Sequence, residues 1–107
     1  MDTVLAAVSE PHRRALLDAL RDGPRSVGEL TELVPIAQSG VSRHLRLLRD
    51  AGLVESSVEG QRRIYRLHPE PLEQLGEWLE PYRRLWIQRL DALHTEVARG
   101  RREEKDR

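Results

Sequence analysis

One stretch limits the folds open to this chain more than any other. Laid out at about 100° per residue, residues 38–50 divide into two sides. Val41, Leu45 and Leu48 fall together with His44 at their edge, while Ser39, Ser42, Arg43 and Arg46 project the other way. Ala51-Gly52 ends that helix, and two strand-like runs follow at once, Leu53–Val58 and Arg62–Leu67. They carry Val, Ile and Tyr, and the Glu59-Gly60-Gln61 between them supplies the glycine a tight hairpin needs. A short two-sided helix running straight into a hairpin must lay its apolar side on something upstream.

The upstream segment is suited to that. Ser26 reads as a helix N-cap, with Glu29 three residues on to close a capping box. Val27, Leu30 and Leu33 or Val34 give the helix an apolar side, and Pro35 stops it and opens a tight turn into the next. Two short helices joined by a few residues and followed by a hairpin make a winged helix-turn-helix, mainly α with a two-stranded β-hairpin. In that layout the second helix enters the DNA major groove and the hairpin runs along the backbone. Small hydroxyls permit close approach, and an arginine fork can grip guanine or hold a phosphate. The residues expected at double-stranded DNA are therefore Gln38, Ser39, Ser42, Arg43, His44 and Arg46 on the helix, with Arg62 and Arg63 on the hairpin. Arg66 is expected to be structural. The same residues also read as a solvated helix face and as charge protection of an edge strand. Leu47 fits neither side and is expected to pack on a neighbouring helix or the wing.

The net charge of zero argues against a nucleic-acid partner until its distribution is examined. Residues 38–66 hold six arginines against three acids, whereas residues 67–98 hold three arginines against six acids. A basic front and an acidic back orient a protein on DNA. The chain has no cysteine, which removes disulfides, thiolate metal sites and sulfur redox chemistry. No apolar run approaches the roughly 18–20 residues of a membrane helix, and the first residues lack the basic start of a signal peptide, so a cytoplasmic location is expected.

From Leu72 onward the apolar residues Leu72, Leu75, Leu79, Tyr82, Trp86, Leu93 and Val97 recur at helical spacing, flanked by Trp78, Leu85 and Leu90. Pro81 predicts a division into one helix over 71–79 and another over 81–98. This stripe could cover the domain's own core. Residues 12–67 already supply a core, however, and a second large apolar stripe on a monomer would be exposed. Pairing of two chains is thus expected, with Leu79, Tyr82, Trp86, Leu93 and Val97 at the homodimer interface. The expected organisation is a single winged-helix domain over 1–98, in which 71–98 serve dimerisation, followed by a charged, disordered tail over 99–107.

The run from Gln38 through Val54 resembles the ArsR family of bacterial repressors. So do Glu29-Leu30, the stretch Gly60 to Leu67, and Pro11 to Leu20 as that family's first long helix. The resemblance covers roughly residues 4–98. It implies a small homodimeric winged-helix protein that binds operator DNA and usually represses. Two departures matter. Members that sense arsenic or soft metals carry a Cys-x-Cys pair where this chain has Ser26 and Gly28, so that switch is excluded. Ala37 stands where the family usually starts its recognition helix with serine, so compensation by Ser39 or a longer turn is expected.

No enzyme is indicated. Ser42, His44 and Asp50 share one helix and cannot converge as a triad, and no phosphate loop or paired catalytic carboxylates occur. No cofactor is implied, and the residues identify no inducer. The alternative readings are a metal-responsive repressor using Asp91 and His94 across a dimer, and a winged-helix module kept for protein interaction. Loss of the serine and arginine face would have favoured the second, and that face is intact.

Overall fold

The computed structural model describes the backbone of residues 1–105 and the side chains of residues 1–100. The element order is α1 (Asp2–Val8), α2 (Pro11–Arg21), β1 (Arg25–Ser26), α3 (Val27–Leu33), α4 (Gln38–Asp50), β2 (Val54–Glu59), β3 (Arg62–Leu67) and α5 (Glu70–Lys105). The packing divides the chain into two units, Met1–Leu75 and residues 76 onward.

Local chemistry accounts for the element boundaries in the first unit. Glu10 caps α2 by accepting the backbone N–H of Arg13 at 2.9 Å, and Pro11 occupies the first turn, where a missing N–H costs nothing. The capping box of α3 is complete. The Ser26 hydroxyl accepts the Glu29 N–H at 3.2 Å, and the Glu29 carboxylate accepts the Ser26 N–H at 3.3 Å. At the far end of α4, Gly52 adopts φ +76°. Its N–H reaches the Arg49 carbonyl at 2.9 Å while the Leu53 N–H reaches the Leu48 carbonyl at 3.0 Å. This Schellman pattern is closed by Leu48 and Leu53, both fully buried. The expected compensation at the start of α4 is not found. Ala37 is the N-cap and no side chain caps the helix.

β2 and β3 pair antiparallel with Glu59 opposite Arg62, which leaves a two-residue loop of Gly60-Gln61. Gly60 takes φ +64° at the first loop position, as a type II′ turn requires. The sheet has three strands rather than the two expected, because β1 pairs with β3 through Arg25 opposite Tyr65 and Ser26 opposite Ile64. The core lies beneath this sheet and among α2, α3 and α4, where Leu16, Leu20, Leu30, Val41, Leu45, Leu48 and Leu53 are the largest fully buried side chains. Val4 and Ala7 of α1 join it. Of the two candidates at the end of α3, Val34 is buried and Leu33 is exposed.

α5 departs from the expected division at Pro81. It is one helix of 36 residues with Pro81 inside it. Pro81 has no N–H to give the carbonyl of Glu77, and its ring crowds that carbonyl, yet the helix continues on either side. It also continues to Lys105, past residue 99, where a disordered tail is expected. The last residues of that expected tail lie outside the described ones. Within the second unit Trp78 and Tyr82 stack obliquely, ring centroids 5.2 Å apart. Leu79, Tyr82, Trp86, Leu93 and Val97 are all exposed.

Candidate nucleic-acid interface

α4 turns Val41, Leu45 and Leu48 into the core and is thereby held by its inner side. Its outer side presents Gln38, Ser39, Ser42, Arg43, Arg46 and Arg49 to solvent. Beside it, β3 contributes Arg63 and Tyr65, which share one face of the strand because successive residues alternate. Together Ser39, Ser42, Arg43, Arg46, Arg49, Arg63 and Tyr65 line an open groove of about 500 Å³. The groove contains four guanidinium groups and no carboxylate. Among the described residues, the arginines in ion pairs are Arg25, Arg62, Arg66, Arg83 and Arg84, none of which lines it. Arg63 donates to the Ser56 hydroxyl at 3.2 Å, which holds it along the wing. The groove is thus lined with guanidinium donors that have no anion, the electrostatic condition for gripping a polyphosphate backbone.

Arg49 and Tyr65 belong to this groove and were not among the expected residues. Arg49 follows Ser42 and Arg46 at helical spacing on α4, and Tyr65 follows Arg63 at the strand's period of two. Both periodicities were readable.

Two expected residues lie elsewhere. His44 is only 7% exposed and faces inward. At about 100° per residue it falls at the edge of the stripe of Val41, Leu45 and Leu48, and that edge is covered by Glu10 and Arg13. Its Nδ1 lies 3.4 Å from Arg13 Nη1 and 3.9 Å from Glu10 Oε2. Burial pushes its pKa below the ordinary 6.5; Glu10 pulls the other way, and Arg13 and Arg43 add to the depression, so the ring is neutral at pH 7. Arg62 is drawn to the start of α3. Its Nη2 donates to the Ser26 hydroxyl at 2.9 Å and to Glu29 Oε1 at 2.7 Å. The Ser26 backbone N–H, the Ser26 hydroxyl and Arg62 together hold Glu29 below its ordinary 4.5. Arg62 thus serves the capping box, and of the two wing-tip arginines only Arg63 lines the groove. Arg66, expected to be structural, donates to the Ser57 hydroxyl at 2.6 Å and to Glu59 at 2.8 Å.

Leu47 is 42% exposed and borders a small depression with Ala6 and Ala7 of α1. Gly40 has a steric reason to be glycine. A Cβ there would come within 2.9 Å of the Ile36 side chain, which packs against the core from the turn before α4. Asp91 and His94 are both exposed on α5. No described third ligand accompanies them.

This architecture defines a class: a winged helix-turn-helix protein that binds DNA and regulates transcription. A helix-turn-helix domain model matches residues 8–57. The chain is 37% identical over 89 residues to the HTH-type transcriptional regulator Rv2034 of Mycobacterium tuberculosis, covering 83% of this chain and 80% of that protein. It is 32% identical to the transcriptional repressor SdpR of Bacillus subtilis, over 74% of this chain and 88% of the other. A crystal structure of an ArsR family transcriptional regulator superposes with a TM-score of 0.69 at 29% identity, over 79% of this chain and 88% of that one. The chain belongs to the ArsR family of transcriptional regulators. No helix among the described residues is long and apolar enough to cross a membrane.

Proposed function

We propose that the chain acts in the cytoplasm as a homodimeric repressor of operator DNA. The observation that carries this reading is the groove of four arginines without carboxylate partners beside Ser39 and Ser42. α4 enters the major groove with Ser39, Ser42, Arg43 and Arg46 toward the base edges and Gln38 at its leading end. Arg49 and Arg63 take phosphates and set the register. Leu79, Tyr82, Trp86, Leu93 and Val97 of α5 are covered by a second copy, so two recognition helices reach half-sites about one helical turn apart. The repressor role is supported by the likeness to SdpR, which bears that name. Gel shifts with DNA from around its own gene test the reading. The expected result is a dimer-sized complex at a preferred sequence whose affinity falls steeply with salt. Equal affinity for all sequences would reject operator recognition. A reporter joined to the bound site should be silenced by the protein, and activation would reject repression.

A further inference from the structure

Glu10, His12 and His44 converge where α2 begins against the inner side of α4; capping accounts for Glu10 and core packing for His44, but neither calls for a second imidazole beside them. One donor atom from each lies within 4.8 Å of the others. His12 Nδ1 is 3.2 Å from Glu10 Oε1, and His44 Nδ1 is 3.9 Å from Glu10 Oε2. Two ligands bound tetrahedrally at about 2.1 Å are roughly 3.4 Å apart, so the two imidazoles, one at each oxygen of the carboxylate, need only a small side-chain adjustment to share an ion. We propose that Glu10, His12 and His44 form a binding site for one borderline divalent cation of the zinc(II), cobalt(II) or nickel(II) class.

Two imidazole nitrogens and one carboxylate oxygen suit that class better than magnesium or calcium, which take oxygen ligands. The three ligands arrive on elements already fixed by packing, since Glu10 caps α2 and His44 is held at the covered edge of the core stripe of α4. His12 is exposed and Glu10 partly so, which leaves the fourth position open to water. Arg13 is the opposing group. Its Nη1 approaches His44 Nδ1 only to 3.4 Å, beyond a good hydrogen-bond length, and its guanidinium is anchored by the carbonyls of Ala7 at 2.7 Å and Ala6 at 3.1 Å. The cation therefore displaces a weak contact, while the nearby positive charge keeps the affinity below that of a thiolate centre.

The test uses the full chain stripped of metal, without DNA, so that it stands apart from operator recognition. Zinc(II) is titrated by calorimetry, and cobalt(II) by its visible absorption. One ion per chain is expected. His12→Ala, at an exposed position, should lower zinc affinity by more than the roughly tenfold that loss of an outer partner costs, with circular dichroism unchanged. Glu10→Gln, which keeps an acceptor for the Arg13 N–H, should do the same. The double variant Asp91→Ala/His94→Ala should bind as the parent does. An absence of zinc binding, unaltered affinity in both His12→Ala and Glu10→Gln, or loss of binding in the α5 double variant would each overturn the proposal.

Discussion

α4 and α5 are both two-sided helices, and they dispose of their apolar sides in opposite ways. In α4, Val41, Leu45 and Leu48 are completely buried within the chain. In α5, Tyr82, Trp86 and Leu93 remain 57–61% exposed. The outer side of α4 is polar and lacks anions; the exposed side of α5 is aromatic and aliphatic. One helix completes its packing inside the monomer and offers its polar side to a ligand. The other leaves its apolar side exposed, the area that the proposed pairing of two chains would remove from water. The function proposed above needs both arrangements.

The largest expected effect separates the two helices by what fails. Leu45→Ala should cost about 2–5 kcal/mol of folding stability, because a fully buried leucine leaves a cavity. Urea unfolding should show that loss at every protein concentration. Leu93→Ala should leave the unfolding of an isolated monomer nearly unchanged and weaken only association. Next comes Trp86→Ala, expected to lose about 2 kcal/mol or more of dimerisation, as a buried interface tryptophan does. Sedimentation should find monomers with native circular dichroism, and operator affinity should fall with them. A variant still dimeric would assign the partner face to other residues.

On the polar side, Arg43→Ala should cost roughly 1–3 kcal/mol on the preferred site and relax base preference there. Competition assays against single-base variants would read it. An unchanged preference would make Arg43 a phosphate clamp and move specificity to Ser39, Ser42 or Arg46. The smallest effect concerns pH. His44 has a folded-state pKa below its unfolded 6.5, so its unfolded form binds more protons between the two values. Its contribution is complete above about pH 6.5 and is lost as pH falls toward the lower folded value. Urea midpoints should decline over that window, and less so in His44→Gln; equal declines would show that burial of this ring is not the cause.

Much of the first unit was legible because its signals are local. The Ser26–Glu29 capping box, the Gly52 stop and the Gly60 loop each lie within a few residues of their partners. What escaped depends on distant contacts. β1 is two residues long and exists only because Arg25 and Ser26 find Tyr65 and Ile64 on β3. Arg62 looked like Arg63 from sequence, and only the nearness of Ser26 and Glu29 distinguishes them. His44 falls at the edge of the stripe by its spacing, and only the approach of Glu10 and Arg13 from the start of α2 buries it. Pro81 was read as a boundary, although a long helix tolerates the loss of one hydrogen bond.

If DNA is held by the α4–β3 groove of arginines without anion partners, the adjacent residues Arg62 and Arg63 should answer differently to salt. Fluorescence anisotropy of operator binding across a salt series should be compared for Arg62→Ala, Arg63→Ala and the parent protein. Arg63→Ala should weaken binding and reduce the salt slope by about one released counterion. Arg62→Ala should keep the parent slope and instead lower the melting temperature through the α3 cap. A flattened slope for Arg62→Ala with an unchanged one for Arg63→Ala would place the DNA away from the α4–β3 groove.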